Sequence, residues 1–132
     1  MNKIISSLIF IFAVTLTACA TDSTKNNLSS ANGGLKLPPG FTATVVADKL
    51  GNARHIAVNS NGDVYVKLER LKDGKGIIRL RDTNGDGVTD ETIAFGNFAG
   101  TGIAINNGYL YASSDEAVYR FKLNAKNEVE NP

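Results

Sequence analysis

Asp82, Asn84, Asp86 and Asp90 stand at alternate or near-alternate positions of the stretch Asp82-Thr83-Asn84-Gly85-Asp86-Gly87-Val88-Thr89-Asp90. Short oxygen-bearing side chains in that pattern suit one kind of chemistry, the enclosure of a small hard cation. Calcium takes roughly six to eight oxygens at about 2.3–2.6 Å, and a tight loop provides them from alternate side chains plus one carbonyl. Gly87 permits the sharp turn that would aim the Val88 carbonyl inward. The expected ligand set is therefore Asp82, Asn84, Asp86, the Val88 carbonyl and Asp90, around a structural calcium ion. The alternative is an empty Asx/Gly turn that only reverses the chain. Against it, three acids gathered without a cation repel one another.

The flanks decide what kind of loop this is. Ile77-Ile78-Arg79-Leu80-Arg81 before it and Thr92-Ile93-Ala94-Phe95 after it are short, rich in β-branched residues and bounded by glycine, which predicts strands. Ile93 occupies the position where a helix-flanked loop carries its bidentate Glu, so a helix-flanked calcium site is not expected. The spacing resembles instead the calcium loops in hairpins of integrin-type propellers, closed here by Asp90.

The elements that position this loop begin well after the N-terminus. Residues 1–18 read as a signal peptide: Lys3 supplies the positive start, and Ile4 to Leu16 forms an apolar run too short to span a bilayer. Leu16-Thr17-Ala18-Cys19 resembles the bacterial lipoprotein signal, in which the cysteine is lipidated and becomes the new N-terminus; a plain secretory peptide is the alternative. Cys19 is the sole cysteine, so the chain has no internal disulfide. Ala20, in place of Asp, resembles the sorting rule that sends such proteins to the outer membrane, and the expected location is the cell envelope, facing the periplasm. Residues 19–36 then form a lipidated, Ser/Thr/Asn/Gly-rich tether. From Leu37 apolar and polar residues alternate, and residues 37–132 are expected to be the folded domain.

Of 14 basic and 13 acidic side chains, cleavage removes Lys3 and leaves the two signs equal. A nucleic-acid partner is not expected, because that requires a clustered basic surface, and Lys67 to Lys75 is interrupted by Glu69 and Asp73.

The domain contains an internal repeat. Ile56-Ala57-Val58-Asn59-Ser60-Asn61-Gly62-Asp63-Val64-Tyr65-Val66 matches Ile103-Ala104-Ile105-Asn106-Asn107-Gly108-Tyr109-Leu110-Tyr111-Ala112. Each copy is a strand, an Asn/Gly turn and a second strand, the pattern of a hairpin. A third strand follows in each, Gly76-Ile77-Ile78-Arg79-Leu80 and Ala117-Val118-Tyr119-Arg120-Phe121, and in the first copy the acidic loop leads into a fourth. Four antiparallel strands recurring at roughly 40–50 residues mark a β-propeller blade. The fold class is all-β: about two four-stranded units of an incomplete propeller, with residues 41–47 as an outer strand ahead of them. Propellers close with about four blades or more. Two alone leave apolar edges exposed, so the chain is expected either to be part of a longer propeller or to self-associate.

Leu37-Pro38-Pro39-Gly40-Phe41, Ala53-Arg54-His55-Ile56-Ala57-Val58, Asn61-Gly62-Asp63-Val64-Tyr65-Val66, Arg79-Leu80-Arg81 with its acidic loop, and Gly108-Tyr109-Leu110-Tyr111 resemble, in that order, the N-terminal blades of the glucose/sorbosone dehydrogenase family. The resemblance covers about residues 35–123. It implies a periplasmic six-bladed propeller that oxidises a sugar by hydride transfer to pyrroloquinoline quinone, with a His base, Arg residues near the quinone and a calcium ion on its carbonyls. No catalytic residue carries over, because those positions would lie beyond Pro132, and the short chain alone is expected to be inactive. Arg54 and His55, at the start of the first inner strand, are the candidates for contact with a cofactor; the alternatives are pairing of Arg54 with an acid and ordinary packing of His55. The glycines of residues 97–102, leading into the second unit, are expected to ease strand packing. A second reading makes the chain a non-catalytic, calcium-stabilised module that binds a protein or glycan.

Overall fold

The computed structural model describes residues 31–130, so the proposed signal peptide, Cys19 and most of the tether lie outside the described residues. After a short turn at Ala31–Gly34, seven strands follow: β1 Ala53–Val58, β2 Val64–Lys72, β3 Lys75–Arg81, β4 Glu91–Phe95, β5 Ile103–Asn106, β6 Tyr109–Ser113 and β7 Val118–Lys122. They form two antiparallel sheets, β1-β2-β3-β4 and β5-β6-β7, each in sequence order. This is the expected all-β pair of blade-like units. The second holds three described strands, extended by an isolated bridge between Leu123 and Val129.

Turn chemistry explains the meander. Asp73 and Gly74 between β2 and β3, and Asn107 and Gly108 between β5 and β6, all have positive φ (51°, 74°, 48° and 75°). Two consecutive positive φ values define the hairpin turn whose twist matches that of its strands. The β1–β2 turn is longer, closed by Asn59 N–H donating to the Asp63 carbonyl at 2.8 Å.

Side-chain alternation then sorts each sheet into two faces. In sheet one, Tyr65 lies opposite Arg79, and Lys67 opposite Ile77, which is opposite Phe95; these face sheet two. Tyr65, Ile77 and Phe95 join Leu110, Ala112 and Leu123 in one buried cluster, flanked by Phe98, Ile103, Ile105 and Phe121. Edge-on aromatic contacts lock it, Tyr65 to Phe95 at 6.3 Å and Phe95 to Phe121 at 5.5 Å between ring centroids. Each fully buried side chain of this kind contributes about 1.5–3 kcal/mol.

The opposite face of sheet one, Val66, Leu68, Ile78 and Leu80, is buried by Ala47 and Leu50 of the N-terminal segment. Residues 41–47 were expected to be a strand, and here the structure differs: they pair with no strand. The segment meets the face of the sheet through Ala47 and, beyond it, Leu50, while Phe41 and Val46 stay exposed. Among its backbone groups, the Val46 carbonyl accepts from Thr89 N–H at 2.9 Å and Ala43 N–H donates to Asn32 Oδ1 at 3.1 Å.

The two sheets are also tied through Lys67, which is fully buried. Its ammonium donates to the Gly76 carbonyl at 3.2 Å and to the Phe98 carbonyl at 2.7 Å, and sits 4.4 Å from the Phe98 ring centroid. The Gly76 α-carbon is so close to the linker between the sheets that an added Cβ would lie 1.8 Å from the Phe98 carbonyl oxygen. Gly76→Ala must therefore displace backbone, and is expected to cost about 2–3 kcal/mol in urea unfolding, while Lys75→Ala beside it, an exposed position, stays within about 0.5 kcal/mol of the parent.

Candidate functional site

The acidic loop joins β3 to β4, and its base is closed by Asp90 N–H donating to the Arg81 carbonyl at 2.9 Å. Gly85 and Gly87, at φ of 80° and 83°, turn the backbone N–H groups toward the side chains. Asp82 accepts from Asn84 N–H at 3.1 Å, Gly85 N–H at 2.6 Å and Gly87 N–H at 2.7 Å. Asn84 Oδ1 accepts from Asp86 N–H at 2.9 Å, and Asp86 Oδ1 from Val88 N–H at 2.8 Å. Asp90 closes the ring, accepting from Thr83 N–H and Oγ1 at 2.7 and 2.8 Å and from Asn84 Nδ2 at 3.3 Å. The backbone donors of Gly87 and then Gly85 hold the Asp82 carboxyl below the usual carboxylate range. The structure thus brings Asp82, Asn84, Asp86 and Asp90 into one turn, organised by the loop's own donors.

A carboxylate has about four acceptor sites. Asp86 therefore keeps most of its capacity, and Asp82 and Asp90 keep part of theirs. The donor set is oxygen-only and carries three negative charges, which suits a hard cation. Among the described residues no group of three or more His, Cys, Asp or Glu side chains stands as a metal-holding cluster.

A second polar constellation lies between the sheets. Asp63, 1% exposed, accepts both arms of Arg81, from Nε at 2.7 Å and from Nη2 at 2.6 Å. The Arg81 Nη1 donates to Glu128 at 2.8 Å, Arg79 reaches the same Glu128 oxygen at 3.4 Å, and Arg79 also pairs with Glu91. Hydrogen bonds from Arg81, then Asn124, lower the Glu128 pKa, and those to Asp63, then Glu128, raise that of Arg81. Beside them the Tyr65 hydroxyl donates to the Asn127 carbonyl at 3.2 Å; burial, then the Asp63 charge, pushes its pKa up. Asn59 Nδ2 donates to the same carbonyl at 3.0 Å. Together these bonds seat the loop after β7 on the first sheet.

Arg54 and His55, the cofactor candidates, are exposed on β1. His55 Nδ1–H donates to the Thr101 carbonyl at 2.9 Å, so the ring ties β1 to the linker ahead of β5. Three cavities are described. One of about 160 Å³ is lined by Tyr65, Arg79, Glu91, Phe95 and Glu128 among others, one of about 170 Å³ lies beneath Val46, Leu50 and Thr89, and one of about 290 Å³ lies over Tyr111 and Val118. None of the three includes Arg54 or His55, and each is below the roughly 300–1,000 Å³ of ordinary ligand pockets. The described residues therefore do not fit an anionic tricyclic quinone: Arg54 and His55 face solvent, and the inter-sheet cavity already carries two glutamates.

Compared with protein families, residues 35–131 match the TrAA12-like family. The chain belongs to the TrAA12-like family. The matched span takes in the N-terminal segment, both sheets and the loop after β7, so this TrAA12-like domain is the two-sheet unit with its inter-sheet network. Comparison with curated proteins and with solved structures gives no match.

Sequence reasoning singled out the Arg79-Leu80-Arg81 strand of this TrAA12-like domain only as a flank of the acidic loop, and missed Asp63, Lys67 and Glu128. A signal was present: Asp63, Tyr65 and Lys67 alternate with Val64, Val66 and Leu68, so a period-two count puts two charges on a face that must meet another sheet. Glu128 has no such signal, because it lies in the loop after β7, outside any alternating strand.

The lowered pKa values of Glu128 and Asp82 fix the sign of an acid effect. A carboxyl whose folded pKa is depressed stabilises fully above its unfolded pKa, near 4, and loses that contribution as pH falls through the folded value. Stability in urea should be level from about pH 6 to 8 and decline below about pH 4. In Glu128→Gln the decline is expected to be shallower; an unchanged slope would mean that the Arg81–Glu128 pair does not contribute to it.

Proposed function

We propose that this chain is a lipid-anchored, sugar-dehydrogenase-like propeller portion of the glucose/sorbosone type, held at the cell envelope through Cys19, and that the two sheets act as a calcium-stapled scaffold without an oxidising centre of their own. The observation that carries the reading is the acidic loop on the β3–β4 hairpin, following Arg79-Leu80-Arg81 and organised by its own backbone donors. Membership of the TrAA12-like family over residues 35–131 supports it. Asp82, Asn84, Asp86, the Val88 carbonyl and Asp90 would hold the ion. Its role is structural: it neutralises the acids and stiffens a hairpin that also anchors the N-terminal segment through Thr89 and Val46.

The scaffold role is supported by the small size of the three cavities, and by Arg79 engaging both glutamates of the inter-sheet one. The same observation favours, as second reading, a non-catalytic binding module. Purified chain supplied with pyrroloquinoline quinone, calcium and glucose or sorbosone is expected to give no dye reduction above a quinone blank; turnover would reject the scaffold reading.

Calcium at about 100 times its Kd is expected to raise the stability of the parent by about 2.7 kcal/mol, read as a higher Tm. Asp86→Ala should melt at the same temperature with and without calcium. An equal response in both proteins would remove the ion from this account.

A further inference from the structure

The interface between the two sheets is head-to-tail, and among the described residues the accepting half recurs on the far side of sheet two while the β1 part of the inserting half recurs exposed on sheet one. The strand registers superimpose the repeats: Ile56, Val58, Val64, Val66, Ile78 and Leu80 of sheet one correspond to Ile103, Ile105, Leu110, Ala112, Tyr119 and Phe121 of sheet two. In sheet two this aliphatic and aromatic face packs on sheet one. The receiving face of sheet one carries Ala57, Tyr65, Ile77 and Arg79, and its counterparts in sheet two are Ala104, Tyr111, Val118 and Arg120. Those counterparts lie on the far side of sheet two, where Val118 is 73% exposed beside the open groove of about 290 Å³ over Tyr111. The inserting face of sheet one is covered at Leu68 and Leu80 by Ala47 and Leu50, yet Ile56 and Val58 on β1 are each 61% exposed.

We propose that a second copy of this chain docks on the far face of sheet two, inserting its Ile56 and Val58 against Tyr111 and Val118. The occupant follows from continuity with the existing interface: the groove repeats Ala57, Tyr65 and Arg79 as Ala104, Tyr111 and Arg120, with Val118 in place of Ile77, from the surface that accepts Ile103 and Ile105 within one chain, and β1 carries the matching Ile56 and Val58 exposed. Because the donor and acceptor patches differ, the contact is heterologous and propagates into a ring or an open chain. Burying one aliphatic strip against a shallow groove favours weak, concentration-dependent association.

The test uses the full chain in mild detergent with Cys19→Ser, so that introduced thiols are the only ones. Ile56→Cys and Val118→Cys proteins treated with a short bis-maleimide should cross-link when mixed and stay single when each is treated alone. Cross-linking of Ile56→Cys with itself would indicate face-to-face pairing and overturn the proposal, as would no cross-linking in the mixture. In sedimentation, Val118→Arg, a change at an exposed site that leaves folding intact by urea unfolding, should weaken self-association about tenfold or more, with Lys75→Glu as the control near parent values. A parent that stays monomeric at every concentration also overturns the second copy as occupant, and points to another sheet or a different protein on that face.

Discussion

The pairing of Asp63 with Arg81 is the constraint on which the two-sheet arrangement depends. Asp63 is sealed from solvent at the end of the β1–β2 turn, and a buried carboxylate persists only when its oxygens are matched by donors in good geometry. Arg81 does this with two parallel bonds, and its remaining arm reaches Glu128. One guanidinium therefore joins the first turn of sheet one, the last strand position before the acidic loop, and the loop that follows sheet two. An intact pair of this kind adds little net stability, because desolvation offsets attraction. Breaking it by removing one partner strands a charge and costs about 3–5 kcal/mol. The remaining arm of Arg81, on Glu128, is what ties this pair to the loop after β7.

Apolar packing supplies the attraction that this pairing orients. Tyr65, Ile77 and Phe95 meet Leu110, Ala112 and Leu123 in a continuous seam, and hydrophobic attraction by itself is indifferent to small rotations of one sheet on the other. The directional bonds remove that freedom: Arg81 to Glu128 at one place, the Tyr65 hydroxyl and Asn59 to the Asn127 carbonyl at a second, and Lys67 to the linker carbonyl of Phe98 at a third. Burial lowers the Lys67 pKa, and the two carbonyls that solvate its ammonium belong to the parts it must hold together, β3 and the linker.

The functional picture follows from where rigidity is placed. The acidic loop sits directly after Arg81, so the hairpin that would hold calcium starts from the strand whose Arg79 and Arg81 reach Glu128. The N-terminal segment is attached at that same hairpin, through Thr89 to Val46, and lies over the outer face of sheet one. A cation bound in the loop would stiffen both attachments at once. β1 is exposed, and His55 ties it to the linker just ahead of β5 through the Thr101 carbonyl.

By itself, the sequence determined the hairpins, their repeat and the acidic turn, because each depends on interactions a few residues apart: positive-φ Asp-Gly and Asn-Gly pairs, period-two alternation, and Asx side chains bonding to N–H groups two to five residues on. It over-read residues 41–47 as a strand, since alternation reports a buried face equally well when a segment crosses a sheet without joining a ladder. Tertiary structure alone decided that Arg79 and Arg81 point into the interface, that Lys67 is solvated by carbonyls, and that Glu128 completes the network. Those outcomes require groups separated by 9 to 49 positions to meet, and such meetings are set by how strands and sheets stack, a property carried by no single stretch of the chain.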